Sequence, residues 1–303
     1  MTDLATRTLG RTGVEVTTLG FGAMELRGAP RGREISDADL GKLLNTVLDS
    51  GITFVDTSID YGASEERIGK HISHRRNEYF LASKCGCLVG WEPSATEDRG
   101  GPHVYDRANI TAGVEQSLRR LNTDHLDLLQ IHMTPSKQVL EENDTIQVMK
   151  DLQKEGKIRF LGMSGTLPNI TDHIAMGVFD TFQIPYSALE RTHEDMIAEA
   201  AELGAGIIIR GGVAKGHRAG AERQDKWTQA RLDDILVDGM NRYEFLLRFT
   251  LTHPACHTTI VGTGDLAHLE ANVATASSGP LPAATYEQAK ERLAQIGEVG
   301  EEN

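Results

Sequence analysis

Short apolar runs alternate with amphipathic segments along most of the chain. Such runs, separated by helical periodicity, are typical of buried parallel strands covered by helices on both sides. Seven of them are ITFVD, EYFLASK, DHLDLLQIH, IRFLGMS, DTFQIP, GIIIR and TTIVG, and an eighth strand is predicted near 18–22. Apolar residues at helical spacing predict a helix from the segment ADLGKLLNTVLDSG and further helices near 64–74, 109–121, 143–155, 168–177, 192–203, 241–252, 265–276 and 284–296.

Eight strand–helix units favour a closed (β/α)8 TIM barrel in the α/β class. The alternative is a doubly wound open sheet, but no Gly-x-Gly-x-x-Gly turn follows an early strand, which disfavours a Rossmann fold. No internal composition shift marks a domain boundary. We therefore expect residues 1–303 to form a single barrel domain.

Two kinds of connection add to this pattern. Two β-prone runs flank Arg11-Thr12-Gly13, which predicts an N-terminal β-hairpin with glycine at its turn. The connections over 85–107 and from 211 to about 238 are too long for simple turns, and each follows a predicted strand. Both are expected on the C-terminal face of the barrel, where long loops build active sites.

Composition narrows the classes of function. The net charge of −13 argues against nucleic acid or an anionic membrane as a partner. No apolar run reaches the roughly 18 residues of a membrane helix, and the N-terminus lacks an export signal. The 3 cysteines, among them Cys85 and Cys87, are expected to be reduced thiols that fill buried space, with a redox role left open. We therefore expect a cytoplasmic protein, either a monomer or a small homo-oligomer.

Polar residues close several strands that would otherwise be apolar. Asp56 ends the second barrel strand with Tyr61 in the turn behind it, Lys84 ends the third, and His132 ends the fourth. Taken singly, each has an ordinary interpretation as a turn, solvated or hydrogen-bonded core residue. Because consecutive strand ends converge on one face of a barrel, the four together predict a shared site.

This set of side chains suits proton transfer to a developing oxyanion. A lysine cation beside Tyr61 would favour the phenolate and lower the pKa of the phenol, and Asp56 would compensate the burial of Lys84. His132 could orient a carbonyl and help to carry a proton. The sequence shows neither a metal-ligand cluster nor an activated serine or cysteine, so a hydride from a cofactor is the expected nucleophile.

The segments GITFVDTSIDYGASEERIGK, FLASKCG and SLRRLNTDHLDLLQIH resemble the aldo-keto reductases in order, spacing and context. The resemblance extends from the predicted hairpin to about residue 276. It implies a (β/α)8 barrel that reduces aldehydes or ketones with a nicotinamide cofactor, usually NADPH. Tyr61 then resembles the general acid, with Lys84, Asp56 and His132 as the other members of a tetrad.

The resemblance also implies residues for the nicotinamide. Ser164 and Gln183 match residues that bind its carboxamide, whereas Gly165 stands where the family usually has asparagine. Arg210 takes the place of an aromatic residue that stacks on the ring, and a guanidinium plane can stack in the same way. An ordinary ion pair with an acidic loop is the alternative role for Arg210.

Residues 260–272 resemble the segment that binds the adenosine half. Gly262, Thr263 and His268 occupy positions that recognise the 2′-phosphate in NADPH-specific members, and Asn272 matches an adenine contact. Asp265 adds a negative charge there, whereas phosphate prefers fixed cations. The resemblance favours NADP(H) and leaves NAD(H) possible.

The candidates for an apolar substrate wall are three aromatic residues on the two long connections, Trp91, Tyr105 and Trp227, which alternatively hold those loops in place.

The sequence is compatible with three functions. The leading hypothesis is an NAD(P)H-dependent reductase of aldehydes, ketones or keto-sugars. A cofactor-sensing regulatory protein on the same barrel is the second. A barrel hydrolase or isomerase using Asp56 and His132 is the third, and it offers no role for Tyr61 or Lys84.

Overall fold

Eight parallel strands close on themselves in the computed structural model, as the apolar pattern predicts. The structure describes residues 4–91, 101–213, 221–237 and 239–300, with the helical backbone alone described for 221–224. The barrel strands in spatial order are β3 (Leu19–Gly22), β4 (Phe54–Asp56), β5 (Phe80–Cys85), β6 (Leu126–His132), β7 (Ile158–Ser164), β8 (Thr181–Pro185), β9 (Gly206–Arg210) and β10 (Thr258–Val261). Pairing of β10 with both β9 and β3 closes the ring.

The predicted N-terminal hairpin is confirmed and lies against one end of the barrel. Strands β1 (Thr6–Thr8) and β2 (Glu15–Thr17) pair antiparallel around a turn that ends at Gly13, where φ is +68°. The buried Leu9 packs with barrel residues, and the Arg11 amide donates to the Gly204 carbonyl at 2.7 Å, just before β9 begins. The hairpin therefore covers the amino ends of the strands and leaves the carboxyl ends free for chemistry.

Side chains inside the barrel change from apolar to polar along each strand. An interior cluster near the hairpin contains Phe54, Phe80, Ala82, Leu128 and Ile208. Because alternate residues of a strand share a face, the next inward positions are the polar strand ends. Those positions are Asp56, Lys84, Gln130, His132 and Arg210. One end of the barrel is thus a dry core and the other a polar site.

The surrounding helices follow the predicted order with two additions. They are α1 (Asp37–Asp49), α2 (Ser64–Ile72), α3 (Arg107–Leu121), α4 (Lys137–Glu142), α5 (Thr145–Lys154), α6 (Ile170–Ala175), α7 (Glu194–Glu202), α8 (Ala221–Gln229), α9 (Arg242–Thr252), α10 (Leu266–Ser277) and α11 (Ala283–Gln295). The structure adds α4 before the predicted helix near 143–155, because Asp144 at φ +51° breaks the helical path. It also places α8 inside the second long connection. Among the described residues, no helix combines the length and apolar character needed to cross a membrane.

Candidate active site

Asp56 and Lys84 form a buried ion pair at the carboxyl ends of β4 and β5. Lys84 Nζ lies 2.7 Å from Asp56 Oδ2 and also donates to the Thr57 carbonyl at 2.8 Å. Burial disfavours the ammonium ion and is the largest single effect, but Asp56 and Tyr61 together outweigh it, and the pKa of Lys84 lies above its usual value. Lys84 is therefore a fixed cation in the site.

The second oxygen of Asp56 is held by two glutamine side chains. Gln130 Nε2 donates to Asp56 Oδ1 at 2.9 Å, and Gln183 Nε2 donates to the same atom at 2.8 Å. A buried carboxylate with three donors is well compensated for its lost hydration. Gln130 was missed by the sequence analysis, although a polar residue two positions before His132 in an apolar strand points to the same interior face.

Tyr61 lies in the turn after β4 and faces Lys84. Its backbone is held by hydrogen bonds to Ser58 and Ser64, and Lys84 Nζ lies 4.8 Å from the ring centroid. Gly62 follows at φ +48°, and a Cβ there would meet the Arg27 carbonyl oxygen at 2.4 Å. Only glycine lets the loop before α1 approach the Tyr61 turn this closely.

The expectation of a lowered Tyr61 pKa is wrong in its net sign. Burial raises the pKa of the phenol above its ordinary value, and this effect exceeds the opposing influence of Lys84 and, to a smaller extent, Arg210. The cause is desolvation of the phenolate by the side chains packed around it. Tyr61 is accordingly neutral near pH 7 and carries the proton that a general acid needs.

His132 ends β6 with its ring beside Tyr61, the two ring centroids being 6.3 Å apart. Burial lowers the pKa of His132 well below its usual value, and Lys84, His103 and Arg210 add to this effect. The imidazole is therefore neutral, which suits the orientation of a carbonyl group through an N–H donor.

Tyr105, a predicted substrate residue, holds the backbone behind His132. Its hydroxyl donates to the His132 carbonyl at 2.7 Å. The ring lies against Gly86, where φ is +95° and a Cβ would be 2.4 Å from a ring carbon. The contacts of Tyr105 make it a support for the site.

The predicted nicotinamide residues meet at the ends of β7 to β9. Ser164 Oγ donates to Gln183 Oε1 at 3.1 Å, so these two side chains are neighbours. Gly165 donates its amide to the Gln183 carbonyl at 3.0 Å and has no side chain to offer. Burial lowers the pKa of Arg210, and Tyr61 is the first group that opposes the shift. Within the described part of the chain, the Arg210 guanidinium makes no hydrogen bond or ion pair.

The predicted adenosine segment joins β10 to α10. Asp265 caps α10 by accepting the amides of Ala267 and His268 at 2.9 and 3.2 Å. These hydrogen bonds, with that of His268 the largest cause, lower the pKa of Asp265. These two first-turn amides, which could otherwise donate to a phosphate, are therefore already used by a carboxylate.

The remaining residues of this segment surround the cap. Thr263 Oγ1 accepts the Asp265 amide at 3.0 Å, while Gly262 and His268 are exposed and Asn272 is half-buried. Arg33, from the loop before α1, donates to the Gly264 carbonyl and influences Asp265. This arginine was missed because 231 sequence positions separate it from Gly264.

The two tryptophans have different surroundings. The Arg31 guanidinium lies 5.3 Å from the Trp91 ring centroid. Trp91 also borders a pocket of about 410 Å³ beside Asp60 and Gly62. Trp227 is 1% exposed and packs against Phe245. Trp227 is therefore a packing residue of its connection. The substrate role stays a prediction for Trp91, which lies beside the Tyr61 turn.

The sequence model of the aldo/keto reductase family matches residues 18–293. The chain belongs to this family. Its members are oxidoreductases that act on carbonyl or alcohol groups with nicotinamide cofactors, and this protein is therefore such an oxidoreductase.

Individual relatives agree with the family assignment. The uncharacterized oxidoreductase YqkF of Bacillus subtilis is 27% identical over 90% of this chain and 91% of its own length. L-galactose dehydrogenase of Arabidopsis thaliana is 28% identical over 90% of this chain and 88% of its length. The holo form of aldo-keto reductase AKR11C1 from Bacillus halodurans superposes with a TM-score of 0.82, at 27% identity and 96% coverage of both chains.

The aldo/keto reductase site contains a further cluster that sequence reasoning did not find. Cys87, just after β5, lies between two imidazoles, with Sγ 3.5 Å from His103 Nε2 and 3.2 Å from His132 Nδ1. Cys85 lies in the hydrophobic core outside this cluster. The signal was weak, because the Cys87–His103 pairing depends on how the long loop folds back on itself.

Proposed function

We propose that this protein transfers a hydride between NADP(H) and the carbonyl carbon of an aldehyde, ketone or keto-sugar, with Tyr61 as the general acid. The observation that carries the proposal is the buried Asp56–Lys84 pair. Lys84 Nζ lies 4.8 Å from the Tyr61 ring centroid, and the His132 ring centroid lies 6.3 Å from that of Tyr61. This arrangement supplies a neutral acid, a fixed cation and a neutral hydrogen-bond donor.

Tyr61 donates its proton as the substrate oxygen gains electrons. The phenolic O–H bond breaks, the proton goes to that oxygen, and the phenolate left behind faces the Lys84 ammonium. Lys84 stabilises this charge more strongly in a desolvated site than in water. Asp56 keeps Lys84 in place without approaching the substrate, and is in turn held by Gln130 and Gln183.

His132 orients the substrate because its imidazole is neutral. A neutral ring can donate one N–H to the carbonyl oxygen. Nδ1 faces Cys87, so Nε2 remains as the donor to a substrate. Alignment of the carbonyl between His132 and Tyr61 brings the reacting oxygen within reach of the acid.

The residues around the site fit a nicotinamide cofactor. Ser164 and Gln183 are buried polar side chains within hydrogen-bond distance of each other, at the neighbouring ends of β7 and β8, where they would hold a carboxamide. The Arg210 guanidinium next to Tyr61 would stack on the ring. When bound, the cofactor supplies the hydride that the protein side chains cannot provide.

Arg33 and His268 support NADP(H) as the cofactor. Both are exposed beside the start of α10, where a guanidinium can bind a phosphate with two hydrogen bonds. Asp265 opposes this preference through its charge, and Thr263 contributes a hydroxyl that already bonds within the turn. Asn272, one helical turn beyond His268, would contact the adenine.

The pocket beside the Tyr61 turn suits a polar carbonyl compound. Trp91 and Arg31 border the pocket beside the Tyr61 turn, together with Arg27 and Asp60. An aromatic ring flanked by charged hydrogen-bonding groups suits a sugar, which presents both apolar C–H faces and hydroxyl groups. The similarity to L-galactose dehydrogenase, whose name states an aldose as its substrate, supports a sugar or sugar-like carbonyl.

A cofactor-sensing protein with little turnover is the second candidate. The observation that favours it is Gly165, which offers no side chain where the related reductases usually have asparagine. Such a protein would bind NADP(H) tightly and leave carbonyl compounds unchanged.

Cofactor oxidation distinguishes these functions. Aldehydes, ketones and keto-sugars would be tested with NADPH and NADH in parallel, using Tyr61→Phe and the exposed-residue control Tyr243→Phe. We expect turnover by the wild type, a loss of kcat on the order of 10²–10⁴-fold in Tyr61→Phe, and unchanged NADPH binding. Near-full activity in Tyr61→Phe would exclude its role as the acid, and binding without turnover across the panel would favour the sensor.

A further inference from the structure

Cys87, His103 and His132 present three metal-binding atoms to one point. The ligand atoms of all three residues lie within 4.8 Å of one another. Cys87 Sγ is 3.5 Å from His103 Nε2 and 3.2 Å from His132 Nδ1. For Zn–S and Zn–N bonds of about 2.3 and 2.0–2.1 Å, a tetrahedral site separates sulfur from nitrogen by about 3.5 Å. Both measured separations are close to this value.

The backbone holds Cys87 opposite His103. The two residues form an antiparallel bridge, flanked by Leu88 N–H donating to the Pro102 carbonyl at 2.9 Å and Val104 N–H donating to the Gly86 carbonyl at 2.7 Å. Such a bridge fixes the direction in which the thiol and the imidazole project.

The remaining supports orient the two imidazoles and Cys87. Asn109 Nδ2 donates to the Cys87 carbonyl at 3.1 Å, and the Tyr105 hydroxyl holds the His132 carbonyl. The Gly101 backbone lies beside the His103 imidazole. In metal sites, a carbonyl or carboxylate usually fixes the ring nitrogen that does not bind the metal, and the Gly101 backbone would serve His103 in this way.

We propose that Cys87, His103 and His132 bind a Zn²⁺ ion, with water as the fourth ligand, and that the bound ion inhibits carbonyl turnover. A thiolate and two imidazoles are ligands that zinc prefers, and three protein ligands plus water complete a tetrahedron. The Cys87 S–H bond breaks on binding and its proton goes to solvent, so the thiolate and the ion form the new bond.

A cation is a stronger partner for this cluster than hydrogen bonds. A neutral thiol can donate its one hydrogen to one of the two imidazoles, and the other imidazole must then donate an N–H to the sulfur, which is a weak acceptor. A single cation would bind the sulfur and both nitrogens at once. His103 and His132 are half-buried at the open end of the barrel, so an ion can reach the cluster from solvent.

Nearby charges act in both directions. The Asp60 carboxylate faces both Cys87 and His103 and attracts a cation. Lys84 and Arg210 face His132 and oppose the ion. Zinc on Nδ1 of His132 would place a positive charge near the cationic Lys84 and immobilise the ring that orients the substrate. The bound ion would therefore inhibit carbonyl turnover.

Zinc binding is tested on the full-length protein after chelator treatment. Zn²⁺ would be titrated against a chromophoric indicator, and Co²⁺ would report the thiolate ligand through its charge-transfer absorption. We expect one ion per chain in the wild type and at least tenfold weaker binding in Cys87→Ala and in His103→Ala. The controls Cys85→Ala, from a buried neighbouring cysteine, and His74→Ala, from an exposed histidine, should bind like the wild type.

Circular dichroism of each variant separates lost ligands from lost folding, and the half-exposed His103 provides a second test if Cys87→Ala is unstable. Failure of the wild type to retain Zn²⁺, or equal binding by wild type, Cys87→Ala and His103→Ala, would overturn the zinc site. Inhibition rests on the proposed reductase function, and Zn²⁺ should lower NADPH-dependent turnover less in His103→Ala than in the wild type. The binding measurements need no turnover, so they remain decisive if the proposed reductase function fails.

Discussion

Lys84 Nζ lies 2.7 Å from Asp56 Oδ2, in a pair whose side chains are 1% and 2% exposed. Lys84→Met removes the cation and leaves a buried carboxylate with only its glutamine donors. Loss of one partner of such a pair costs about 3–5 kcal/mol. We expect the free energy of unfolding to fall by this amount and carbonyl turnover to be lost, as measured by denaturant titration and cofactor oxidation.

The double variant Lys84→Met/Asp56→Asn separates stability from chemistry. It removes both charges, so most of the lost stability should return, while turnover should remain absent because no cation faces the Tyr61 phenolate. Recovery of turnover in the double variant would show that Lys84 only compensates Asp56 and takes no part in proton transfer.

Tyr105→Phe tests the support of His132. The variant loses the 2.7 Å hydrogen bond to the His132 carbonyl and keeps the ring against Gly86. We expect a loss of about 1 kcal/mol in stability and a fall of roughly fivefold in kcat, with cofactor affinity unchanged. Tyr243→Phe, on an exposed tyrosine, serves as the control. An unchanged kcat with lowered stability would limit Tyr105 to a structural role.

The site was predictable where it follows the alternation of the strands. Asp56, Lys84 and His132 occupy the last inward positions of consecutive strands, so periodicity alone brought them to one face. Arg210 obeys the same rule. The Tyr61 pKa was predicted with the wrong sign because a sequence shows neighbouring charges but does not show how fully the phenol is buried.

Contacts made through loops were not predictable. Cys87 and His103 meet only because the long loop folds back as a bridge, and Arg33 reaches Gly264 across the barrel rim. The extra helix α4 depends on a left-handed residue at Asp144, which the apolar pattern does not indicate. These features come from local backbone conformation and long-range packing, on which hydrophobic periodicity carries no information.

Arg33→Ala tests the proposed preference for NADP(H). A guanidinium that contacts a 2′-phosphate should contribute a charge-assisted hydrogen bond worth about 1.5–3 kcal/mol. We expect NADPH affinity to fall about tenfold or more while NADH affinity stays the same, measured by fluorescence titration of both cofactors. Arg75→Ala, which removes an ion pair with Asp49 at the C-terminal end of α1, is the control. Equal losses for the two cofactors would contradict phosphate recognition by Arg33.

His253 makes the stability of the fold sensitive to acid. Its side chain is buried, and its Nδ1 accepts the Ala255 amide at 3.2 Å, which requires a neutral ring. Burial lowers the pKa of His253 to about 4, with Glu194 opposing the shift and Lys290, Arg7 and Arg191 adding to it. In the unfolded chain the pKa of histidine is about 6.5.

Between about pH 6.5 and about 4 the unfolded state therefore binds the additional proton, and stability falls as the pH falls through this window. The contribution of His253 is present in full above pH 6.5, and its loss reaches about 3 kcal/mol near pH 4. His253→Asn retains an acceptor for the Ala255 amide but does not titrate. Its lost packing against Tyr186, now at a ring-centroid distance of 4.9 Å, lowers stability equally at every pH. Denaturant titrations from pH 4 to 8 should therefore show that the free energy of unfolding falls less toward acid pH in His253→Asn than in the wild type. The control His74→Asn, on an exposed histidine, should behave like the wild type. Parallel declines in all three proteins would show that His253 is not the acid-sensitive group.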